Sequence, residues 1–305
     1  MDDFPPRRFV HLWIVANGIR FHVAAAGPEH APPILFLHGF PEGWMSWRAV
    51  MEQLSEYRVY APDLRGYPET ESPLKGYDVL TLTDDIRALI EGLRLTRPAI
   101  VAHDWGGALG WIFGHRYSNL IRKLVVVNCT HPRTLVRAAL EFEDFQTFRS
   151  LYVLLFQLPA IPELLFTTAI GRKLLELFCM RLEGQPNKMN SATLRELISR
   201  FQRPADIRGP INYYRQLFLS QIVADRRARL EAVYQTPITV PTTLVWGDRD
   251  WVLSQYVAQS SHRDAGCPVE FRSLPGVGHF VELEVPDLLA TEIRHALGST
   301  PTGSI

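Results

Sequence analysis

The stretch Val101-Ala102-His103-Asp104-Trp105-Gly106-Gly107-Ala108-Leu109-Gly110 constrains this chain more than any other. An apolar run at 99–102 leads into it, and a helix-forming run leaves it from Ala108. The pattern predicts a buried strand, a very tight turn and a helix, with Asp104 at the apex. Ala102 before the apex, and Gly106 and Gly107 after it, are small enough for strand and helix to approach closely. An apex side chain held this way stands clear of the backbone, beside the next amide and the positive end of the helix. The other reading of an Asp before a Gly-rich helix start is a simple cap. The rest of the chain has to choose between them.

Around that turn, short apolar runs alternate with helical ones. Runs at 9–15 and 19–24 flank Asn17-Gly18, a hairpin signal. Continuous apolar runs at 33–37, 58–64, 121–128 and 242–246 read as strands buried on both faces, and 269–274 as one more. Helices are expected near 46–55, at 81–93, and from Pro286 to a stop at Gly298. In 81–93, Leu82, Ile86, Leu89, Ile90 and Leu93 share one face, with Asp84 and Asp85 placed in the first turn. In the closing helix, Leu289, Ile293, Ala296 and Leu297 point inward. Between 132 and 225 the strand pattern stops, leaving Leu- and Phe-rich helical stretches punctuated by Pro159, Pro162, Gly171, Pro186, Pro204 and Pro210. The expectation is an α/β fold: a mostly parallel central sheet with helices on both faces. Its core is divided into 1–131 and 226–305 by an all-helical cap, or lid, at 132–225.

Composition narrows the partners. Lys+Arg and Asp+Glu each number 32, so nothing favours nucleic acid or an acidic membrane surface. The densest basic group, Arg226, Arg227 and Arg229, is flanked by Asp225 and Glu231 and reads as a solvated helix face. Cys129, Cys179 and Cys267 are few and far apart, which argues for a reducing compartment. The first eight residues hold no apolar signal core, so a cytoplasmic location is expected. The longest apolar stretch, 151–170, is interrupted by Gln157, Pro159, Pro162 and Glu163, and no membrane span is expected. The tail after Gly298 is polar and expected to fray.

In wound parallel sheets, chemistry sits beyond the carboxyl ends of the strands. Four signals fall there: His38-Gly39-Phe40-Pro41, Asp104, Asp250 and His279. Taken singly, His279 could be a surface-loop histidine and Asp250 a turn former. Taken together, the chain order nucleophile, acid, histidine is that of the triads on this kind of sheet. Asp248 competes for the acid role; Asp250 lies farther into the loop, where it can reach a neighbouring one.

These residues carry a resemblance. His38-Gly39-Phe40-Pro41, Asp63-Leu64-Arg65-Gly66-Tyr67, His103-Asp104-Trp105-Gly106-Gly107, Trp246-Gly247-Asp248-Arg249-Asp250 and Gly278-His279-Phe280 make the chain similar, over nearly its whole length, to the α/β-hydrolase-fold epoxide hydrolases. That family faces its nucleophile with a pair of cap tyrosines. The resemblance implies Tyr214, in Asn212-Tyr213-Tyr214-Arg215, as one, and Tyr152 as the other. Pro68 departs from the Gly usual after Arg-Gly-Tyr and puts that loop's shape in question. A packed lid aromatic is the alternative for each tyrosine.

What the resemblance implies is chemically coherent. A carboxylate is ionised at neutral pH, with a reference pKa near 4, so Asp104 needs no base to attack an epoxide carbon. The leaving alkoxide does need an acid, which phenols at Tyr152 and Tyr214 supply. The ester on Asp104 is then hydrolysed by water activated by His279, oriented by Asp250. Backbone N–H groups of Phe40 and Trp105 form the oxyanion hole. Phe40, Trp105, Tyr152 and Tyr214 line the substrate. Leu151, Leu154, Leu155, Phe156, Leu164, Leu165 and Phe166, over Phe40, Trp44 and Trp105, suggest an apolar epoxide. No cofactor or metal is expected: there is no phosphate loop, and no histidine spacing of a metal site.

Two other functions use the same residues. A dehalogenase shares the Asp-His-Asp set, but haloalkane dehalogenases carry Asn where Phe40 stands, and fluoroacetate dehalogenases carry Arg where Trp105 and Ala108 stand. A non-catalytic binding protein on the same scaffold has no reason to keep all these groups. An esterase is disfavoured, because a carboxylate attacking an ester yields an anhydride.

Overall fold

Each apolar run named above is a strand, and all eight join one sheet. The structure, a computed structural model, describes residues 9–298. The expectations for the first eight residues and for the polar tail lie outside the described residues. The strands are β1 (Val10–Ala16), β2 (Ile19–Ala26), β3 (Pro33–Leu37), β4 (Arg58–Pro62), β5 (Ala99–His103), β6 (Lys123–Val127), β7 (Thr242–Gly247) and β8 (Val269–Leu274). Their order across the sheet is β1-β2-β4-β3-β5-β6-β7-β8. β2 pairs antiparallel with β1 and with β4; every other pairing is parallel. Asn17 (φ 44°) and Gly18 (φ 78°) supply the two left-handed residues that turn β1 into β2.

The central strands are apolar throughout because both faces are covered. Ile34, Phe36, Val101, Val125 and Val127 enter one apolar layer, while Leu35, Leu37, Ile100, Leu124 and Val126 enter the other. Each such side chain contributes about 1.5–3 kcal/mol on leaving water, so a polar residue on either face would be costly. Helices α1 (Arg48–Gln53), α2 (Val79–Gly92) and α3 (Asp104–Tyr117) fill the first half. Between β6 and β7 come α4 (Pro132–Leu140), α5 (Gln146–Arg149), α6 (Tyr152–Gln157), α7 (Ile161–Thr167), α8 (Ala169–Met180), α9 (Ser191–Ser199), α10 (Pro204–Ile222) and α11 (Ala224–Tyr234). No strand interrupts them among the described residues. α12 (Gln255–Gln259), α13 (Ser261–Ala265), α14 (Val281–Glu284) and α15 (Pro286–Leu297) complete the chain, and α15 ends at Gly298 with φ 78°. The expected boundary at 225 falls in the first turn of α11, which packs on α3.

One local expectation fails. α2 begins at Val79, capped by Asp78, whose carboxylate accepts the Thr81 N–H. Asp84 and Asp85 are therefore not in its first turn. A carboxylate that can take the orphan amides sets the start of a helix, and Asp78 comes first. Asp85 is instead buried, receiving two 2.6 Å bonds from Arg65 and one of 2.7 Å from the Asn17 amide. The three cysteines are free. No single helix among the described residues is long and apolar enough to cross a membrane.

The sheet order places the site. From β3 the chain moves to β4 on one side, then to β5 on the other. The segments leaving β3 and β5 diverge and open a crevice at the carboxyl ends of these two strands.

Candidate active site

β5 ends extended at His103 (φ −113°, ψ 145°), and Asp104 then takes φ 46°. This left-handed conformation costs a non-glycine residue about 1–3 kcal/mol. The neighbours that make the bend possible have no room for a side chain. A Cβ on Gly106 would stand 2.3 Å from the Leu37 carbonyl, one on Gly107 2.5 Å from Cys129 Cβ, and one on Gly39 2.4 Å from Asp104 Cβ. The Gly106 N–H donates to the His38 carbonyl at 3.0 Å, tying the turn to the loop after β3. Asp104 is thus the apex of a sharp strand-to-helix bend and more than a cap.

The expected partners converge on it. Phe40, followed by a cis peptide to Pro41, donates its N–H to Asp104 Oδ1 at 2.8 Å. Trp105 follows Asp104 in the first turn of α3. His279 Nε2 lies 3.7 Å from Asp104 Oδ2, and its Nδ1 is 2.8 Å from Asp250 Oδ2. Asp250 is held in turn by the N–H groups of Val252 (2.7 Å) and Leu253 (3.0 Å) and by the Asn128 amide (2.7 Å). Asp248 faces elsewhere: its Oδ1 accepts the Gly276 N–H at 2.7 Å. Of the two carboxylates in this loop, the later one meets the imidazole.

Charges follow from these contacts. Burial opposes ionisation of Asp104, yet the hydrogen-bonding and charge of His279, the His103 charge and the Phe40 N–H outweigh it and hold the carboxyl below its usual range. Burial likewise opposes a charged His279, but Asp250 and then Asp104 raise its pKa well above the ordinary value.

The inserted helices bring aromatic groups over this centre. The Tyr214 ring, on α10, stands 4.9 Å from Trp105 and 5.6 Å from Phe40. The Tyr152 ring, at the start of α6, is 6.0 Å from Tyr214. Burial raises both phenols, so both stay protonated. Phe156 completes the group, 5.5 Å from Phe40 and 4.7 Å from Tyr214. The next residue on α10 fixes this arrangement: Arg215 donates to the Phe156 carbonyl (2.8 Å), the Leu158 carbonyl (2.7 Å) and Glu163, clamping α6 and α7 onto α10. Not all of the expected lining is present. Phe156 and Phe166 are buried, but Leu151, Leu154, Leu155 and Leu164 are exposed. Trp44 packs with Phe9, His11 and His22 at the far edge of the sheet, because the turn after Pro41 carries it toward β1 and β2.

Sequence reasoning missed four polar residues. Asn128, at the end of β6, joins the acid loop to the sheet, accepting the Gly247 N–H at 2.7 Å while donating to Asp250. Its place at a strand end was the available signal. Glu42, His103 and Glu282 lie wholly buried behind His279, with a ring nitrogen and two carboxyl oxygens within 4.8 Å of one another. Glu42 follows the Phe40-Pro41 turn and His103 precedes Asp104, so both adjoin motifs already singled out; Glu282 had no signal.

Comparison with known proteins finds relatives over most of the chain. A family model described as the α/β hydrolase fold matches residues 32–286. Epoxide hydrolase 3 of Mus musculus is 33% identical over 277 residues, spanning 90% of this chain and 72% of that protein. Epoxide hydrolase 2 of Caenorhabditis elegans is 32% identical over 286 residues, spanning 92% and 77%. Among solved structures, an epoxide hydrolase from Vigna radiata superposes with a TM-score of 0.79 at 28% identity, covering 95% of this chain and 98% of its own.

Proposed function

The chain belongs to the epoxide hydrolases of the α/β-hydrolase fold, and from that membership we propose that it opens an apolar epoxide to a vicinal diol through an ester on Asp104. The reading rests chiefly on one observation. The Asp104 carboxylate has one oxygen held by the Phe40 N–H and the other turned toward His279, below two phenols from the inserted helices. In this proposal 132–225 is the cap, and its contribution is those phenols.

Oδ2, the oxygen not engaged by Phe40, attacks an epoxide carbon. The C–O bond breaks, and the alkoxide oxygen takes a proton from Tyr214 or Tyr152. Esterification removes the negative charge of Asp104, one of the two that hold a proton on His279. The imidazole's proton affinity falls just when a base is needed, and the proton it gives up restores the tyrosine that protonated the alkoxide. Neutral His279 then takes a proton from water as that water adds to the ester carbon, and Asp250 stabilises the imidazolium. The oxyanion forms on Oδ1, where Phe40 already donates and the Trp105 N–H is adjacent; such donors are worth about 3 kcal/mol each. Collapse releases the diol and restores the carboxylate.

The test is His279→Ala with a simple aryl epoxide. The first half-reaction needs no base, so the variant is expected to gain the mass of the epoxide on the peptide containing Asp104. An unchanged protein mass under conditions where the epoxide binds would overturn the scheme. So would halide release from haloalkanes by the unmodified protein with no turnover of epoxides, which would favour the dehalogenase reading.

A further inference from the structure

Behind the proposed base lies a proton inventory that the scheme above does not use. His103 Nε2 is 2.9 Å from the His279 carbonyl, which can only accept, so Nε2 carries a hydrogen. His103 Nδ1 faces two carboxyl groups, Glu42 Oε1 at 2.8 Å and Glu282 Oε2 at 3.6 Å. All three side chains are completely buried. Were both carboxyls ionised, the pocket would hold an imidazolium and two carboxylates, an excess negative charge in a dry site. One further proton makes it neutral, and burial strongly favours that state.

Hydrogen bonding says which carboxyl takes it. Glu42 is provided with donors: His103 at one oxygen and the Ser46 hydroxyl, at 2.9 Å, on the other. No other residue donates a hydrogen bond to either oxygen of Glu282 among the described residues, and the pull of its own N–H is outweighed by burial. A carboxylate without donors is the one that neutralises. The rings of His103 and His279 are 4.9 Å apart, so the pocket's charge acts directly on the proposed base. A separate cavity of about 160 Å³, walled by Ser46, Asn190, Thr193 and Glu282, lies on this side and includes neither Asp104 nor the cap tyrosines. The space has a mixed polar and apolar wall, is large enough for water, and includes Glu282 in that wall, so a proton entering from this side crosses no part of the substrate site.

We infer that Glu282 is a positioning residue for His279: it holds its proton while the enzyme works, and its ionisation through the rear cavity sets the alkaline limit of the reaction. This rests on the proposed function. The negative charge added when Glu282 ionises stands behind both anionic transition states, the opening alkoxide and the tetrahedral ester adduct, and opposes each. The groups that face it pull both ways, Glu42 raising its pKa and His103 and His279 lowering it, and burial decides. Burial raises Glu282 to about 8 against the pull of His103. Burial opposes a charged His103, yet Glu282 and Glu42 together raise it to about 9. Glu42 stays ionised, because His103 overcomes its burial. Glu284, two residues on, turns away to accept the N–H groups of Gly184 and Gly278.

The experiment compares the unmodified enzyme with Glu282→Gln, which keeps the shape and cannot ionise. The rates of adduct formation and adduct hydrolysis are expected to match at pH 7. Above a midpoint near 8 the unmodified enzyme should slow about tenfold, and the variant should not. The same alkaline step in both proteins would overturn the inference, as would the absence of any step in the unmodified enzyme. A merely structural role would change stability and leave the pH profile alone. Glu282→Met is the second neutral variant, should the amide not fold. Infrared difference spectra decide the protonation state independently of turnover: the unmodified protein at pH 7 should carry a buried carboxylic C=O band that Glu282→Gln lacks. No such band would sink the inference even if the ester on Asp104 were found; the band without an ester would instead sink the proposed function.

Discussion

Two pairs of buried histidines sit in this molecule at nearly the same spacing, and they hold protons in opposite ways. His103 and His279 are 4.9 Å apart, His115 and His131 5.1 Å. The first pair is surrounded by Glu42, Glu282, Asp250 and Asp104, and both its members are raised above the ordinary histidine value. The second lies between α3 and the start of α4. His115 Nδ1–H donates to the Thr236 carbonyl at 2.5 Å, so its Nε2 accepts from His131 at 2.9 Å. His131 Nδ1 in turn accepts the Arg133 N–H at 3.2 Å. Every ring nitrogen is satisfied with both imidazoles neutral. Burial then lowers both, helped at His131 by His115, Arg133 and Arg137. Equal burial therefore does not decide the charge of a histidine; the carboxylates in reach of it do.

The strongest way to break the contrast is to make His279 resemble His131. Asp250→Asn keeps the loop's shape and removes the charge that favours an imidazolium. Turnover is expected to fall about 10⁴-fold, with the ester on Asp104 accumulating; a loss below tenfold in kcat would mean Asp250 is not the orienting acid. Next come the two phenols, whose pKa values desolvation raises. Tyr214→Phe and Tyr152→Phe are each expected to slow adduct formation roughly 10²-fold, read by single-turnover mass spectrometry. An unaffected rate in either would return that tyrosine to a packing role.

The smallest expected effect is on stability, and here the two pairs act with opposite sign. His131 has a folded value below its unfolded one, near 6.5. Its contribution is complete above pH 6.5 and is lost as pH falls toward the folded value. His103 has a raised value, so its contribution is complete below 6.5 and is lost as pH climbs through about 9. Thermal unfolding should therefore show Tm declining on both sides of neutrality. Each such group adds a slope of up to about 1.4 kcal/mol per pH unit. His131→Leu, less stable at pH 7 by about 1–3 kcal/mol, should flatten the acid side between pH 6.5 and 5. An unchanged acid slope would show that His131 is not held neutral.

Much of the fold was legible because its signals are local. Asn17-Gly18 needs two left-handed residues wherever it turns a hairpin, and the run at 33–37 is apolar at every position because a strand covered on both faces admits nothing else. Asp104 was legible for the same reason, since a sharp bend leaves small residues beside it in the chain. Other features depended on partners far away in sequence. Leu151 and Phe156 look alike as sequence; one faces solvent and the other packs against Phe40 and Tyr214. Trp44 packs at the sheet edge with His11 and His22, which no local pattern relates to it.

By itself, the sequence determined the strands, the bend, and the placing of Asp104, Asp250 and His279 at strand ends, since backbone sterics and burial on both faces act over a few neighbouring residues. Only the tertiary structure decided which of the apolar residues at 151–166 are covered. It alone brought Glu42, His103 and Glu282 into one dry pocket across separations of 61 and 179 residues in the chain. Charge in a protein interior is set by what lies within a few ångströms, and chain distance carries no information about that.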